Sequence, residues 1–273
     1  MKNDSVLVSV IMTVRNGEKT ITETLESILN QTHNLIEVII VNDGSTDQTE
    51  LILESFLKKD SRVKVISSGG IGRARALNLA IKNSNSDYIA NIDVDDPSHP
   101  QRIEIQLDSL IKNNKLSLIS SDTIFLNQYE KADFKKISVS EIDSCQVRII
   151  NEDFKKNMNV NHSSVMFNAK LYFPIYNEDL EMQVDYDLWL RSILAGNNLG
   201  RLNLKLATKR IHENQSFENK NRKKYLKNSI KLKFRYFSAI KAPKKYYLYA
   251  YAKMYYGLLP NHVRDRIRKI GRG

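Results

Sequence analysis

Three carboxylates fall within four residues at Asp93-Val94-Asp95-Asp96. Like charges this close repel one another, and a divalent cation relieves the repulsion. Hard oxygen donors of this kind suit Mg2+ or Mn2+, with phosphate oxygens completing the shell. The same run also reads as a solvated acidic turn that caps the following helix. A second acidic position, Asp43, stands in V-N-D-G-S-T-D at residues 41–47. There Gly44 permits a tight turn, Ser45 and Gln48 match an S-x-x-Q capping box, and Asp43 is placed to accept hydrogen bonds from a base or ribose. A plain strand-to-helix turn fits those residues equally well. Asp185 and Asp187 lie two apart in V-D-Y-D-L-W-L-R. On a helix they point about 200° apart, so one of them faces a ligand and the other, Asp187, reads as structural. Arg73 and Arg75 follow the Gly69-Gly70 turn, within reach of either phosphate or solvent. His162 reads equally as a cleft residue and as a satisfied core histidine. Cys145 is the one cysteine and has no base beside it in sequence, which makes it an inert thiol.

The elements around these residues alternate between two periods. Val6–Met12, Ile36–Val41, Val63–Ile66 and Tyr88–Ile92 are apolar runs of strand length. Between and after them, Ile21, Leu25 and Ile28, then Ile52 and Phe56, then Ala74, Leu77 and Ile81, then Ile103, Leu107 and Leu110 recur at helical spacing. Four strands alternating with four helices predict an α/β fold with a mostly parallel sheet flanked by helices. Ligands of such sheets sit beyond the carboxyl ends of the strands, where Thr13, Asp43 and Asp93 all fall. Residues 121–215 are less regular, with strands expected at Ser163–Phe167 and Leu202–Thr208 and a helix at Asp185–Leu194.

Composition narrows the class. Of 273 residues, 41% are hydrophobic and 27% charged, enough apolar material for a packed core. One cysteine excludes a disulfide framework or a cysteine-based zinc site and fits a reducing compartment. No apolar run reaches the length of a membrane-spanning helix, and the N-terminal run reads as a strand rather than a signal peptide. The net charge of +11 is uneven: residues 216–273 hold 17 Lys/Arg against two acids, leaving residues 1–215 mildly acidic. Tyrosines crowd the same basic tail, and Leu226, Ile230, Phe234 and Phe237 recur there at helical spacing. Tyrosine rings favour a boundary between water and apolar matter, and long basic side chains snorkel from it, so the tail reads as a helix lying on an anionic membrane. Packing of its aromatic stripe against the rest of the chain is the competing reading.

The blocks V-S-V-I-M-T-V-R-N-G, E-S-I-L-N-Q-T, E-V-I-I-V-N-D-G-S-T-D, D-Y-I-A-N-I-D-V-D-D-P-S-H-P-Q-R-I-E-I-Q, H-S-S-V-M-F, V-D-Y-D-L-W-L-R and K-R-I-H-E-N-Q-S stand in this order. Together they resemble the family 2 glycosyltransferases over residues 6–217. The resemblance implies a GT-A, Rossmann-like domain over residues 1–217, with a nucleotide-sugar half at 1–120 and an acceptor half at 121–217, followed by a basic helical tail at 218–273. It implies metal-dependent, inverting transfer from a nucleotide-diphosphate sugar to a glycan or lipid-linked acceptor, in the cytoplasm or at the inner face of the cell membrane. Carried over block by block, it assigns Thr13, Arg15, Asp43, Arg75, Asp93, Asp95 and Arg210 to the donor. Asp95, Asp96 and His212 go to Mn2+ or Mg2+, and Asp185 is the base. The sequence departs from the family pattern at Met12-Thr13-Val14, where proline and tyrosine are frequent, at Asn42, at Val184 and at Leu79-Ala80.

The chemistry agrees. A departing diphosphate gains negative charge that a cation and nearby arginines stabilise, and the incoming hydroxyl loses a proton to a separate carboxylate. Two other readings remain at this point. A nucleotidyltransferase also joins such a sheet to an acidic loop, although R-N-G-E-K-T at 15–20 is a poor phosphate loop. A nucleic-acid-binding module would use the basic tail, but the acidic body speaks against it.

Overall fold

The computed structural model describes residues 3, 5–128, 130–156, 160–211, 222–260, 262–264 and 266, except the side chains of 139 and 143. They fall into two compact units. The first comprises Met1–Asn151 with Asn159–Ile211, the second Glu152–Met158 with His212–Gly273.

The first unit is built on one eight-stranded sheet. Its strands are β1 (Val8–Val14), β2 (Ile36–Asn42), β3 (Val63–Ser67), β4 (Tyr88–Asp93), β5 (Leu116–Asn127), β6 (Val147–Ile149), β7 (Met166–Asn168) and β8 (Asn198–Ile211). Their order across the sheet is β3-β2-β1-β4-β7-β5-β8-β6. The first four are mutually parallel, β7 is antiparallel to both neighbours, β5 and β8 are parallel, and β6 is antiparallel to β8. The helices are α1 (Ile21–Leu29), α2 (Thr49–Lys59), α3 (Arg73–Lys82), α4 (Arg102–Lys112), α5 (Val139–Ser144) and α6 (Val184–Leu194).

Residues of β2 are buried at every position, as expected of a parallel strand covered on both faces. Val10, Met12, Val38, Ile40, Ala90 and Ile92 share one apolar cluster with Ile21, Leu25 and Ile28 of α1 and with Ile103, Leu107 and Leu110 of α4. Because strand side chains alternate, Thr13, Asn91 and Asp93 point to the opposite face, where α3 packs on β1 and β2. Register then sets Thr13 beside both Val41 and Asp93.

Three expectations are revised. Ser163–Phe167 is not one strand, since His162–Ser164 is a 3-10 turn that precedes β7. The long β5 went unread. The expected capping box does not form: Ser45 Oγ accepts from the Asn16 amide, while Asp47 takes the Thr49 amide at 3.0 Å, so Asp47 supports the start of α2.

In the second unit, α7 (Arg222–Ala239) and α8 (Lys244–Leu258) form an antiparallel hairpin. Phe234 packs on Tyr247 and Tyr251 with ring centroids 5.0 and 4.9 Å away, and Phe237 on Tyr246 and Tyr247. Gly257 lies against Leu226, so close that an added Cβ would sit 2.8 Å from a leucine methyl. The aromatic stripe of the tail is therefore spent largely on a helix–helix contact. No described helix is long and apolar enough to cross a membrane.

At the amino-terminal end of the strands, the Glu37 carboxylate is buried and accepts four hydrogen bonds, from Ser9 Oγ (2.6 Å), Lys64 Nζ (2.7 Å), and the Asn85 amide (2.7 Å) and side chain (2.8 Å). Burial alone would raise its pKa, but Lys64, Ser9 and Asn85 outweigh burial and hold it at about 2. A depressed folded-state pKa contributes stability above the unfolded value, and that stability is lost as pH falls toward the folded one. Glu37→Gln should therefore cost about 2–3 kcal/mol at pH 7, with the gap to wild type closing between about pH 4.5 and pH 2. Urea unfolding followed by the single tryptophan, the buried Trp189, measures it.

Candidate active site

The parallel half of the sheet delivers Asp43 and Asp93 to one edge, and the acidic loop, α3, α6 and β8 carry the remaining charges. Asp43 is 6% exposed. Its Oδ1 accepts from Ser68 Oγ (2.8 Å) and the Ile71 amide (2.7 Å), and its Oδ2 from the Gly72 amide (3.1 Å). Asp43 thus clamps the loop that leads into α3. Gly44 has a φ of 75° and backs onto that loop, with a Cβ site 3.0 Å from the Gly70 nitrogen. A side chain there would be strained and would strike backbone.

Asp93 ends β4. Its Oδ1 accepts from Arg73 Nη2 at 2.6 Å, and Lys209 Nζ lies 3.7 Å from its Oδ2. Burial would raise its pKa, yet the Arg73 guanidinium prevails and holds the carboxyl well below the usual range. Arg73 is raised in turn, first by Asp93, against burial, and also by the charge of Asp185.

Asp96 is fully buried. Its Oδ1 accepts from the Arg210 amide (2.7 Å), and its Oδ2 from Ser163 Oγ (2.6 Å) and Lys209 Nζ (3.0 Å). Burial pushes its carboxyl up to about 7, with the neighbouring Asp95 and Asp93 adding to the rise and Lys209 opposing it. The expected metal ligand is therefore an internal anchor joining the acidic loop to the 162–164 turn and to β8. Beneath it the buried Arg102 donates to Gln106, to Ser98 and to the carbonyls of Asn91 and Val165.

Arg210 also departs from expectation. Its guanidinium donates to the carbonyls of Asp95, Asn127, Gln128 and Glu130 and to Glu23 Oε2 at 2.9 Å. It staples the end of β5 to the acidic loop rather than facing outward to a diphosphate. Arg75 points away to Glu178 at 3.4 Å, whereas Arg73 joins the acidic edge, so the arginine at this edge is Arg73 and not Arg75. Arg15 is exposed just beyond β1. His212 lies outside the described residues.

Asp185 lies in the first turn of α6 and is half-buried. Its carboxylate has no hydrogen bond or ion pair among the described residues, while its charge acts on both Arg73 and Tyr176. Asp187 is instead buried and bonded to Arg191 Nε at 2.7 Å, the structural role that its direction on the helix predicts. Lys209, Ser163, Arg102 and Tyr176 were not singled out from the sequence. Arg102, Ser163 and Lys209 stand in blocks that carry the family resemblance, whereas Tyr176 stands in none.

Among the described residues no three His, Cys, Asp or Glu side chains converge on a metal site. A hard cation does not need three here, since Mg2+ and Mn2+ are commonly held by one or two carboxylates plus substrate phosphates. The half-exposed Asp95 offers the carboxylate oxygens that such a cation takes.

Comparison with known proteins gives the family and the fold. The family model described as glycosyl transferase family 2 matches residues 9–173. A glycosyltransferase of Haemophilus influenzae is 32% identical over 220 residues, covering 77% of this chain and 67% of that protein. The chain matches only 30% of a longer Rickettsia bellii relative. The E. coli enzyme WfgD, a UDP-Glc:alpha-D-GlcNAc-diphosphoundecaprenol beta-1,3-glucosyltransferase, is 29% identical over 82% of this chain and 84% of its own. S. aureus TarS in complex with UDP-GlcNAc superposes with a TM-score of 0.65 at 19% identity, over 85% of this chain and 66% of that one. The Pyrobaculum calidifontis mannosyltransferase PcManGT with GDP-Man and Mn2+ does so at 0.64 and 15%, over 91% and 69%. The fold is GT-A. The chain belongs to glycosyltransferase family 2 and is a glycosyltransferase.

Asp43 should govern the order of the loop before α3. Asp43→Ala removes three acceptor contacts, and the Ile71 and Gly72 amides should lose hydrogen-exchange protection by tenfold or more, corresponding to about 1.4 kcal/mol. Unchanged exchange at both amides would contradict the clamp.

Proposed function

We propose that the protein transfers a sugar from a nucleoside-diphosphate sugar to a hydroxyl of a glycan or lipid-linked acceptor in surface polysaccharide assembly, with inversion and with Mn2+ or Mg2+. The observation that carries this reading is the contrast between the carboxylates. Asp93 and Asp96 are tied into the fold, whereas Asp185 is half-buried and has no partner among the described residues, yet its charge reaches Arg73 at the acidic edge. One carboxylate is thereby left to take a proton close to where positive charge gathers.

In this scheme Thr13, Arg15 and Asp43 seat the nucleoside, and Asp93, Asp95 and Arg73 face the diphosphate. Asp95 and the phosphate oxygens would hold the cation, which supplies Lewis-acid stabilisation of the departing charge. Asp185 removes the acceptor hydroxyl's proton as that oxygen bonds to the anomeric carbon, opposite the breaking bond to the diphosphate. A single displacement of this kind inverts the centre. Donors named for the relatives are UDP and GDP sugars, and the acceptor in the WfgD name is a lipid diphosphate. Both support the substrate classes proposed.

The tail hairpin suits such an acceptor. Leu248, Tyr251, Tyr255 and Leu258 are exposed at helical spacing along α8, and Leu248 is 69% exposed. Lys244 and Lys245 lie at the start of that helix. An apolar stripe beside lysines fits the surface of an anionic membrane, where each nearby Lys or Arg gains about 1 kcal/mol. We assign the protein to the cytoplasmic face of the cell membrane, as a peripheral protein.

Asp185→Asn should keep donor binding and lower transfer by about 10²–10⁴-fold, measured as nucleoside diphosphate release with Mn2+ and UDP-glucose, UDP-GlcNAc or GDP-mannose. Collapse of donor affinity instead, or greater damage from Asp187→Asn, would contradict the base assignment. Asp95→Ala should abolish metal-stimulated turnover, whereas full activity in EDTA would sink the metal role. The intact protein should pellet with phosphatidylglycerol vesicles at low salt and less at high salt. Leu248→Ser combined with Tyr255→Ser should leave it in solution, and equal pelleting of the variant would refute the membrane face.

A further inference from the structure

The 3-10 turn before β7 holds His162 under the strand-end edge, 6% exposed. Its Nε2 lies 2.8 Å from Tyr176 Oη. Its Nδ1 lies 3.0 Å from Asn91 Nδ2, 3.1 Å from Arg73 Nη2 and 3.3 Å from Asp93 Oδ1. Two N–H donors converge on Nδ1, and a proton on that nitrogen would meet both. Nδ1 therefore accepts, the ring carries its proton on Nε2, and Nε2–H donates to Tyr176. Asp93 Oδ1 is a neighbour brought in by Arg73, which bonds to it at 2.6 Å.

Both hydrogens of Arg73 Nη2 are thus engaged, one by Asp93 and one by His162. Nη1 and Nε make no hydrogen bond among the described residues, and the Arg73 side chain is 52% exposed. The ring of contacts closes through α3. Asn78, on the same helix as Arg73, donates to the Tyr176 carbonyl (2.9 Å) and accepts from the Tyr176 amide (2.8 Å). Tyr176 Oη then meets His162, which meets Arg73.

We propose that His162 is a positioning residue for the donor diphosphate, holding the Arg73 guanidinium against Asp93 so that its Nη1–Nε edge is presented to the phosphates. The proposal rests on the glycosyltransferase reading of this edge and deepens it. A single carboxylate contact leaves a long arginine side chain free to swing, and fixing it at the moment of binding costs rotamer entropy. A second acceptor fixes the plane in advance. A second carboxylate would do so too, but its negative charge would oppose the phosphates. The neutral Nδ1 accepts without that charge, and Tyr176 on the far side keeps the ring in the required tautomer.

His162→Asn carries an amide oxygen near the Nδ1 position and loses Tyr176. His162→Gln reaches the Nε2 position and loses the acceptor for Arg73. With UDP-glucose, UDP-GlcNAc and GDP-mannose as probes and Mn2+ present, His162→Gln should raise the donor KM about tenfold, the usual scale for one lost hydrogen bond to a charged group. The change in kcat should be smaller, and His162→Asn should stay within about threefold of wild type. In an Arg73→Ala background, His162→Gln should add nothing further. Additive losses in that double-mutant cycle, or equal damage from the Asn variant, would overturn the proposal. A readout that needs no donor accompanies it: in long-range 1H–15N spectra, the His162 Nδ1 should resonate as an unprotonated acceptor and shift in Arg73→Ala. A protonated Nδ1 would refute the hold on Arg73. If that signature holds but wild type turns over none of the three donors, the donor reading of this edge falls, and the phosphate half of the proposal falls with it.

Discussion

Asp96 is the constraint around which this edge of the protein is built. A carboxylate with no exposure to water is costly unless its lone pairs are filled and its charge is answered. Here the Arg210 amide, Ser163 and Lys209 fill them. The partners come from two other parts of the chain, Ser163 from the 3-10 turn and Lys209 and Arg210 from the end of β8, and Asp96 itself follows β4. Satisfying one buried charge therefore locks the acidic loop to the half of the sheet most distant from it in sequence. Arg210, fixed through its amide, then uses its guanidinium to hold the loop carbonyls and Glu23.

This anchoring divides the labour among five aspartates. Asp43 holds the loop into α3, Asp93 holds Arg73, and Asp96 holds the frame. Asp95 is half-exposed in the acidic loop, and Asp185 is half-buried in the first turn of α6. The balance of charge follows from the same arrangement. Lys209 reaches both Asp93 and Asp96, and its pKa is raised because those two and Asp95 outweigh its burial. Arg73 brings a second cation to Asp93, and its side chain is half-exposed.

The first half of the fold was legible because its signals are simple. Apolar runs marked β1 to β4, helical spacing marked α1 to α4, and the strand-end rule gathered Thr13, Asp43 and Asp93 on one edge. β5 was missed because it mixes apolar residues with Ser117, Ser120 and Ser121, which are buried and bonded largely to backbone carbonyls, so its alternation is masked. The capping box at Ser45 failed because Ser45 serves the neighbouring turn at Asn16. In the site, types were readable and pairings were not. Arg73 and Arg75 are indistinguishable by spacing, and only the turn at Gly72 sets which of them meets Asp93. Lys209 sits in a stretch of ordinary basic residues, and nothing in its neighbours announces a half-buried ammonium between two carboxylates.

The central claim is that one carboxylate of the acidic loop serves the ligand while another serves the fold. A crystal structure of the protein with UDP and Mn2+ tests it most directly. The account predicts Mn2+ bound by Asp95 and the diphosphate oxygens, with Asp96 still held by Ser163, Lys209 and the Arg210 amide. Mn2+ coordinated by Asp96, with those three contacts broken, would contradict it.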